Sequence, residues 1–131
     1  MTAVLADVHQ WLGYLVSVVV LGAALVAFRK AKEAAEFRPG PYALAMVLLD
    51  IHVTLGIVLY GAGQYWNARP EIAYVHPVLA FAALGVGHAL LSRARNTQMA
   101  VDAHRTAGRG LVFALVLVFA AIGVASAPAF L

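Results

Sequence analysis

Four apolar stretches fill almost the whole chain and limit what it can fold into. They cover about residues 3–28, 42–64, 72–92 and 110–131. Each is long enough to cross a bilayer, which needs about 20 apolar residues. Within hydrocarbon every backbone N–H and C=O must find a partner inside the protein, so open sheets are excluded. Because the connections are short, the sequence predicts an all-α integral membrane protein with a single domain, residues 1–131, folded as an up-down bundle of four transmembrane helices.

The basic residues are distributed unevenly between the connections. Eight of the nine lysines and arginines lie in the first and third connections, and both tails have none. Basic connections favour the cytoplasmic side of a membrane. We therefore expect an N-out/C-out topology in a prokaryotic plasma membrane, with both basic loops in the cytoplasm. The net charge of +3 then reflects topology and does not indicate nucleic-acid binding.

Two histidines recur in matching surroundings. VHQWLG at residues 8–13 and VHPVLA at 75–80 each place a histidine near the start of an apolar stretch. At a rise of about 1.5 Å per residue, His9 and His76 lie roughly 9 and 6 Å below the outer boundary, on parallel helices. The first and third helices of an up-down bundle are diagonal neighbours. This predicts two imidazoles that approach one object from opposite sides.

The histidine pattern favours haem over a bare metal ion. The chain has no cysteine and no HxxxH or HxH pair, whereas zinc or copper usually recruits three or four close ligands. Two lone histidines suit the axial positions of a haem iron. A small residue follows each histidine by four positions, one turn away on the same helix face. At His9, His52 and His76 these residues are Gly13, Gly56 and Ala80, which we expect to make room for a macrocycle.

The other histidines allow several interpretations. His88 and His104, or His52, could ligate a second haem nearer the cytoplasm. Alternatively, His88 could pair with Asp50, and His104 could belong to a solvated basic loop. Asp50 and His52 are about 200° apart on a helix, so they cannot both face the same core. One of them should meet another helix, another subunit or water.

Pro77 follows His76 directly, and two arrangements are open. If the helix begins at Glu71, Pro77 frees the carbonyl of Ala73 and bends the first turn. If the helix begins near His76, Pro77 occupies the favourable first position. In both cases Pro77 restricts the backbone beside a predicted ligand.

Three segments resemble the helices in one half of haem A synthase and, more broadly, small four-helix b-type membrane cytochromes. The segments are ADVHQWLGYLVSVVVLGAALVAFRK, LLDIHVTLGIVLYG and YVHPVLAFAALGVGHALLSRAR, within about residues 6–95. The resemblance implies that His9 and His76 are the two haem ligands. The chain has half the family's usual length, which suits one haem-binding half or a homodimer. Ala6 stands where the catalytic half has a glutamate, and the family's outer-loop cysteines are absent, so the resemblance leaves open whether the protein is an enzyme.

We therefore expect a small haem-binding membrane protein that transfers electrons or handles haem during oxidase maturation. We expect it to lie in the lipid bilayer and to form a homodimer or to associate with a respiratory or oxidase complex. One alternative is a cofactor-free accessory or assembly subunit whose histidines form interhelical hydrogen bonds. Another is a component of a proton-coupled transporter that uses Asp50, His52 and His88 as a relay.

Overall fold

The structure, a computed structural model, describes residues 1–127. The main elements are α1 (Thr2–Lys32), α2 (Gly40–Ala62), α3 (His76–Arg95) and α4 (Ala100–Ser126). A short 3-10 turn (Tyr65–Asn67) and a single π-helical turn (Glu71–Val75) join α2 to α3. The all-α prediction is confirmed, and all four helical segments are long and apolar enough to cross a membrane. The last predicted stretch ended at 131, and its final four positions lie outside the described residues.

Two helices extend beyond the predicted apolar stretches at their polar ends. α1 continues through Arg29, Lys30 and Lys32, and α4 begins at Ala100, ten residues before its apolar run. Alanine, lysine and arginine are strong helix formers, so the helices continue where the apolar pattern stops. We call the end with the two basic connections the basic end. The opposite end, with Met1 and the α2–α3 connection, is the terminal end.

Consecutive helices run antiparallel. Gly13 on α1 lies beside His52 on α2, whereas Gly56 on α2 lies beside His9 on α1. On α3 and α4, Gly87 lies near Ala114, and Leu90 lies against Gly110. In each pair the residue numbers rise on one helix as they fall on the other, which confirms an up-down bundle.

Small side chains allow the helices to approach closely. The centre of the bundle contains fully buried alanines, together with the larger Tyr42, Met46 and Leu49. The alanines are Ala27, Ala45, Ala83, Ala94 and Ala114. Association of apolar helices in lipid depends on close van der Waals packing and interhelical hydrogen bonds, which small residues at the interface permit.

The packing between helices is uneven. α4 packs extensively against both α1 and α3, and α1 packs against α2, but α2 and α3 contact each other sparsely. We call this sparse contact the α2–α3 seam. At the terminal end of the bundle, a cavity lies between α1, α2, the start of α3 and the end of α4.

Candidate functional site

The π-helical turn places His76 at the edge of the cavity. Pro77 has no N–H, so the carbonyl of Ala73 loses its usual helical donor. The Tyr60 hydroxyl on α2 donates to this carbonyl at 3.0 Å. The sequence allowed a helix that begins at Glu71 or one that begins near His76, and the structure combines the two. A π-helical turn begins at Glu71, and the α-helix begins at His76. The π turn is tied to α2, and the backbone beside His76 is held in place.

A hydrogen bond to α4 orients the His76 ring. Its Nδ1 lies 2.9 Å from the Ala121 carbonyl oxygen. A carbonyl only accepts hydrogen bonds, so Nδ1 carries the hydrogen, and in the neutral imidazole Nε2 then keeps a free lone pair. Metal-binding histidines commonly have this arrangement, in which one ring nitrogen donates to a backbone carbonyl and the other is the ligand.

Three imidazoles from three helices meet at the cavity. The rings of His9 and His52 are stacked, with centroids 4.2 Å apart and planes 10° from parallel. His9 also meets His76 nearly edge-on, with a centroid distance of 6.1 Å and an angle of 73°. The predicted proximity of His9 and His76 is therefore present in the structure, and His52 is an additional member. We call these three residues the imidazole cluster.

The imidazole cluster contains polar atoms without partners. Within residues 1–127, the Nδ1 atoms of His9 and His52 are buried and make no hydrogen bond. Leaving a buried polar group unpaired costs about 1–3 kcal/mol. A bound ion or cofactor is one explanation for buried polar atoms without partners in a native protein. The cluster is therefore the main candidate for a functional site.

Two glycines make room for the cluster reciprocally. A Cβ atom at Gly13 would lie 3.1 Å from Cε1 of His52, and one at Gly56 would lie 2.8 Å from Cε1 of His9. Each glycine follows the histidine of its own helix by one turn and receives the ring of the other helix. The sequence predicted that these small residues make room for a macrocycle. In the structure, the imidazole rings of His9 and His52 occupy the space beside Gly56 and Gly13 instead.

The cavity beside the cluster has a volume of about 740 Å³. This value falls within the range of about 300–1,000 Å³ that is usual for ligand and cofactor sites. Ala80 lines the wall near His76, and most of the other lining residues are apolar or aromatic, among them Leu49, Ile57 and Phe81. The arrangement offers an apolar cavity with a cluster of three imidazoles in its lining.

The residues fit a haem better than a bare ion. In the described part of the chain, no group of three or more His, Cys, Asp or Glu residues is arranged to hold a metal ion. A haem iron already has its equatorial ligands, so it needs only axial donors from the protein. His76, with a free Nε2, and His9, whose ring lines the same cavity 6.1 Å from the His76 ring, fit that need. Haem binding stays a prediction at this point.

His88 lies away from the cavity and pairs with Asp50. Its Nε2 is 2.7 Å from Oδ1 of Asp50 across the α2–α3 seam, and the two side chains are 50% and 39% exposed. The structure therefore contains the alternative in which His88 partners Asp50. His52 lines the cavity instead, so Asp50 and His52 do point to different surroundings, as their separation on α2 predicted. The three groups of the suggested relay are divided between these two places.

His104 lies at the basic end and is fully buried. Its Nε2 is 3.1 and 3.3 Å from the carbonyl oxygens of Ala35 and Glu36, and its Nδ1 is 2.8 Å from the Tyr42 hydroxyl. Since carbonyls only accept, Nε2–H donates to them and Nδ1 accepts from Tyr42. Nε2 therefore holds the first connection against α4, and Nδ1 joins α4 to α2, so His104 does not lie in the solvated loop that was one of the expectations.

The structure does not bring His52, His88 and His104 together as the suggested second haem site. His52 joins the imidazole cluster, whereas the other two have separate partners. A signal for His52 was present in the sequence, because HxxxG occurs on both α1 and α2. On antiparallel helices this repeat allows each ring to pack on the other helix's glycine. Sequence reasoning also missed Tyr60 and Arg69, whose side chains fasten the helix ends near the cavity.

Comparisons of this chain with protein-family models, with curated proteins and with solved structures found no match.

Proposed function

We propose that this chain is a membrane protein that binds one b-type haem in the cavity at the terminal end. The observation that carries the proposal is the hydrogen bond from His76 Nδ1 to the Ala121 carbonyl. It leaves Nε2 of His76 available as a ligand, in a cavity that the rings of His9 and His52 also line.

The residues of the cavity have separate roles in this proposal. His76 would supply one nitrogen to the haem iron, and the Ala121 carbonyl fixes its ring. His9 would supply a second nitrogen, and His52 supports the His9 ring by stacking on it. Gly13 and Gly56 admit these rings between α1 and α2, while the apolar walls limit access of water. Bound haem supplies one-electron redox chemistry, which the axial ligands and the apolar surroundings tune.

We propose that the bound haem serves membrane electron transfer or that the protein handles haem during oxidase maturation. The four apolar helices are compatible with placement in a membrane. The basic connections favour the cytoplasmic side, which would place the cavity near the outer face of a prokaryotic plasma membrane. The resemblance to one half of haem A synthase supports haem binding. Ala6 replaces the glutamate of the catalytic half, so the proposal does not include the oxidising reaction of that family.

An absorption spectrum tests the proposal. The protein would be purified in detergent from haem-sufficient cells and measured before and after addition of dithionite. We expect a Soret band and sharp reduced bands typical of six-coordinate, low-spin haem. A protein that is colourless, and stays colourless when titrated with haem, would contradict haem binding.

Single substitutions then identify the ligands. His76→Ala and His9→Ala should each abolish the low-spin spectrum, because each removes one of the two nitrogens that would bind the haem iron. His88→Ala is the matched control, since it removes an imidazole from the seam and leaves the cavity intact. If His9→Ala keeps the low-spin spectrum and His52→Ala loses it, the second ligand is His52. If both His9→Ala and His76→Ala retain it, the haem is bound elsewhere.

One observation favours a second candidate, a cofactor-free accessory or assembly subunit. The pair formed by Asp50 and His88 is about half exposed and joins the middle of α2 to the basic half of α3, both of which are apolar helices. Polar groups are costly inside a membrane and usually face protein or water. A neighbouring subunit of a larger complex would cover the pair. A colourless protein that migrates with a larger complex in native gels of solubilised membranes would support this candidate over haem binding.

A further inference from the structure

We propose that a pocket between α3 and α4 at the basic end binds the phosphodiester headgroup of an anionic phospholipid. The pocket has a volume of about 190 Å³ and is lined by Leu90, Arg93, Thr106, Arg109 and Phe113. It is separate from the haem cavity, and the proposal does not depend on haem binding.

The two helices bring polar donors together from both sides of the pocket. α3 contributes Arg93, whereas α4 contributes Thr106 and Arg109, which are three residues apart and so share one face of the helix. The helices approach closely here, since a Cβ atom at Gly110 would lie 2.7 Å from Cβ of Leu90. Two guanidinium groups and a hydroxyl can all donate hydrogen bonds to phosphate oxygens, and guanidinium matches phosphate geometry especially well.

The positive charge in the pocket is not neutralised within the protein. Across residues 1–127, Arg29 and Arg38 form ion pairs with Glu33 and Glu36, whereas Arg93 and Arg109 form none. Two like charges that line one small pocket repel each other, and an anion between them would relieve that repulsion. Asp102 lies one turn before Thr106 on α4 but does not line the pocket.

The apolar residues of the pocket favour a lipid over a free anion. Leu90 and Phe113 lie toward the membrane-spanning part of each helix, so the arginines stand at the boundary between apolar and basic sequence. Phe113 and Val116 are 57% and 58% exposed and follow each other along α4, where an acyl chain can pack. Basic pockets between membrane helices are known to bind acidic lipid headgroups at this depth. Inorganic phosphate shares the headgroup chemistry but has no acyl chain.

Thermal unfolding of the protein in detergent tests this site. Short-chain phosphatidylglycerol, short-chain phosphatidylcholine and inorganic phosphate would be titrated separately. We expect saturable stabilisation by phosphatidylglycerol alone. Arg93→Gln/Arg109→Gln should weaken its apparent affinity about 30-fold, because two arginine contacts are lost. The matched control Arg95→Gln/Arg105→Gln removes the same charge from the same end outside the pocket, and should keep the wild-type affinity.

Three outcomes would overturn the proposal. Equal stabilisation of the wild-type protein by phosphatidylcholine would show that the charged headgroup is not recognised, and this arm needs no variant to fold. Equal stabilisation by inorganic phosphate would indicate a site for free anions. Equal weakening by the two double substitutions would show that general surface charge, and not the pocket, attracts the lipid.

Discussion

A methyl group added at Gly56 would test the reciprocal packing of α1 and α2 directly. The new Cβ would lie 2.8 Å from Cε1 of His9, which is 0.6 Å inside the 3.4 Å at which ordinary contact begins. The His9 ring cannot move freely, because it is stacked on His52 at 4.2 Å and meets His76 at 6.1 Å. Gly56→Ala should therefore displace the ring or separate the helices.

The expected energy combines two opposing effects. Overpacking of a tightly packed site usually costs about 1–3 kcal/mol. Alanine is better than glycine in a helix by about 0.8–1.0 kcal/mol. Gly56→Ala should thus lower the free energy of unfolding by about 0–2 kcal/mol. Gly22→Ala is the matched control, since nothing lies within 4 Å of its Cβ position, and it should gain up to about 1 kcal/mol.

Equilibrium unfolding in mild detergent measures the difference between the two variants. We expect Gly56→Ala to be less stable than Gly22→Ala by about 1–3 kcal/mol. Gly13→Ala should fall between them, because its Cβ would lie 3.1 Å from Cε1 of His52 and needs a smaller adjustment. Equal stability of Gly56→Ala and Gly22→Ala would refute the packing of His9 on Gly56. In a haem-loaded protein, Gly56→Ala should also weaken haem binding relative to Gly22→Ala.

Three further predictions concern the hydrogen bonds that hold the helix ends. Tyr42→Phe should lower the free energy of unfolding by about 1–3 kcal/mol, because it leaves Nδ1 of the buried His104 unpaired. If Tyr42→Phe destabilises the protein no more than Tyr14→Phe, which changes an exposed tyrosine, the Tyr42–His104 hydrogen bond does not stabilise the fold. Tyr60→Phe should speed amide exchange in the π-helical turn, because the Ala73 carbonyl loses its donor, and unchanged exchange there would argue against this tie. Arg69→Gln should loosen the last turn of α4, because Arg69 donates a hydrogen bond to the Ala127 carbonyl at 2.6 Å. Hydrogen-exchange measurements should then show faster amide exchange in that turn and no change elsewhere.

The sequence by itself determined the helices and the directions of their side chains. Apolar stretches of membrane-spanning length predict helices, because a helix pairs its own backbone groups within lipid. The short connections between them predict that consecutive helices are antiparallel neighbours. Helical periodicity separated Asp50 from His52, and the missing N–H of Pro77 indicated that the Ala73 carbonyl would lack its helical donor if the helix began at Glu71. Each of these features depends on local geometry, so it can be worked out before the helices are packed.

The tertiary structure alone decided which side chains meet. His52 stacks on His9, His88 pairs with Asp50, and His104 accepts from Tyr42. Periodicity gives the direction of a side chain from its own helix, but not the rotation, depth or neighbour of that helix. Those depend on how closely small residues allow each pair of helices to approach. Close contacts at Gly13 and Gly56 and sparse contacts along the α2–α3 seam therefore place the imidazole cluster beside a cavity, while Asp50 and His88 lie outside it.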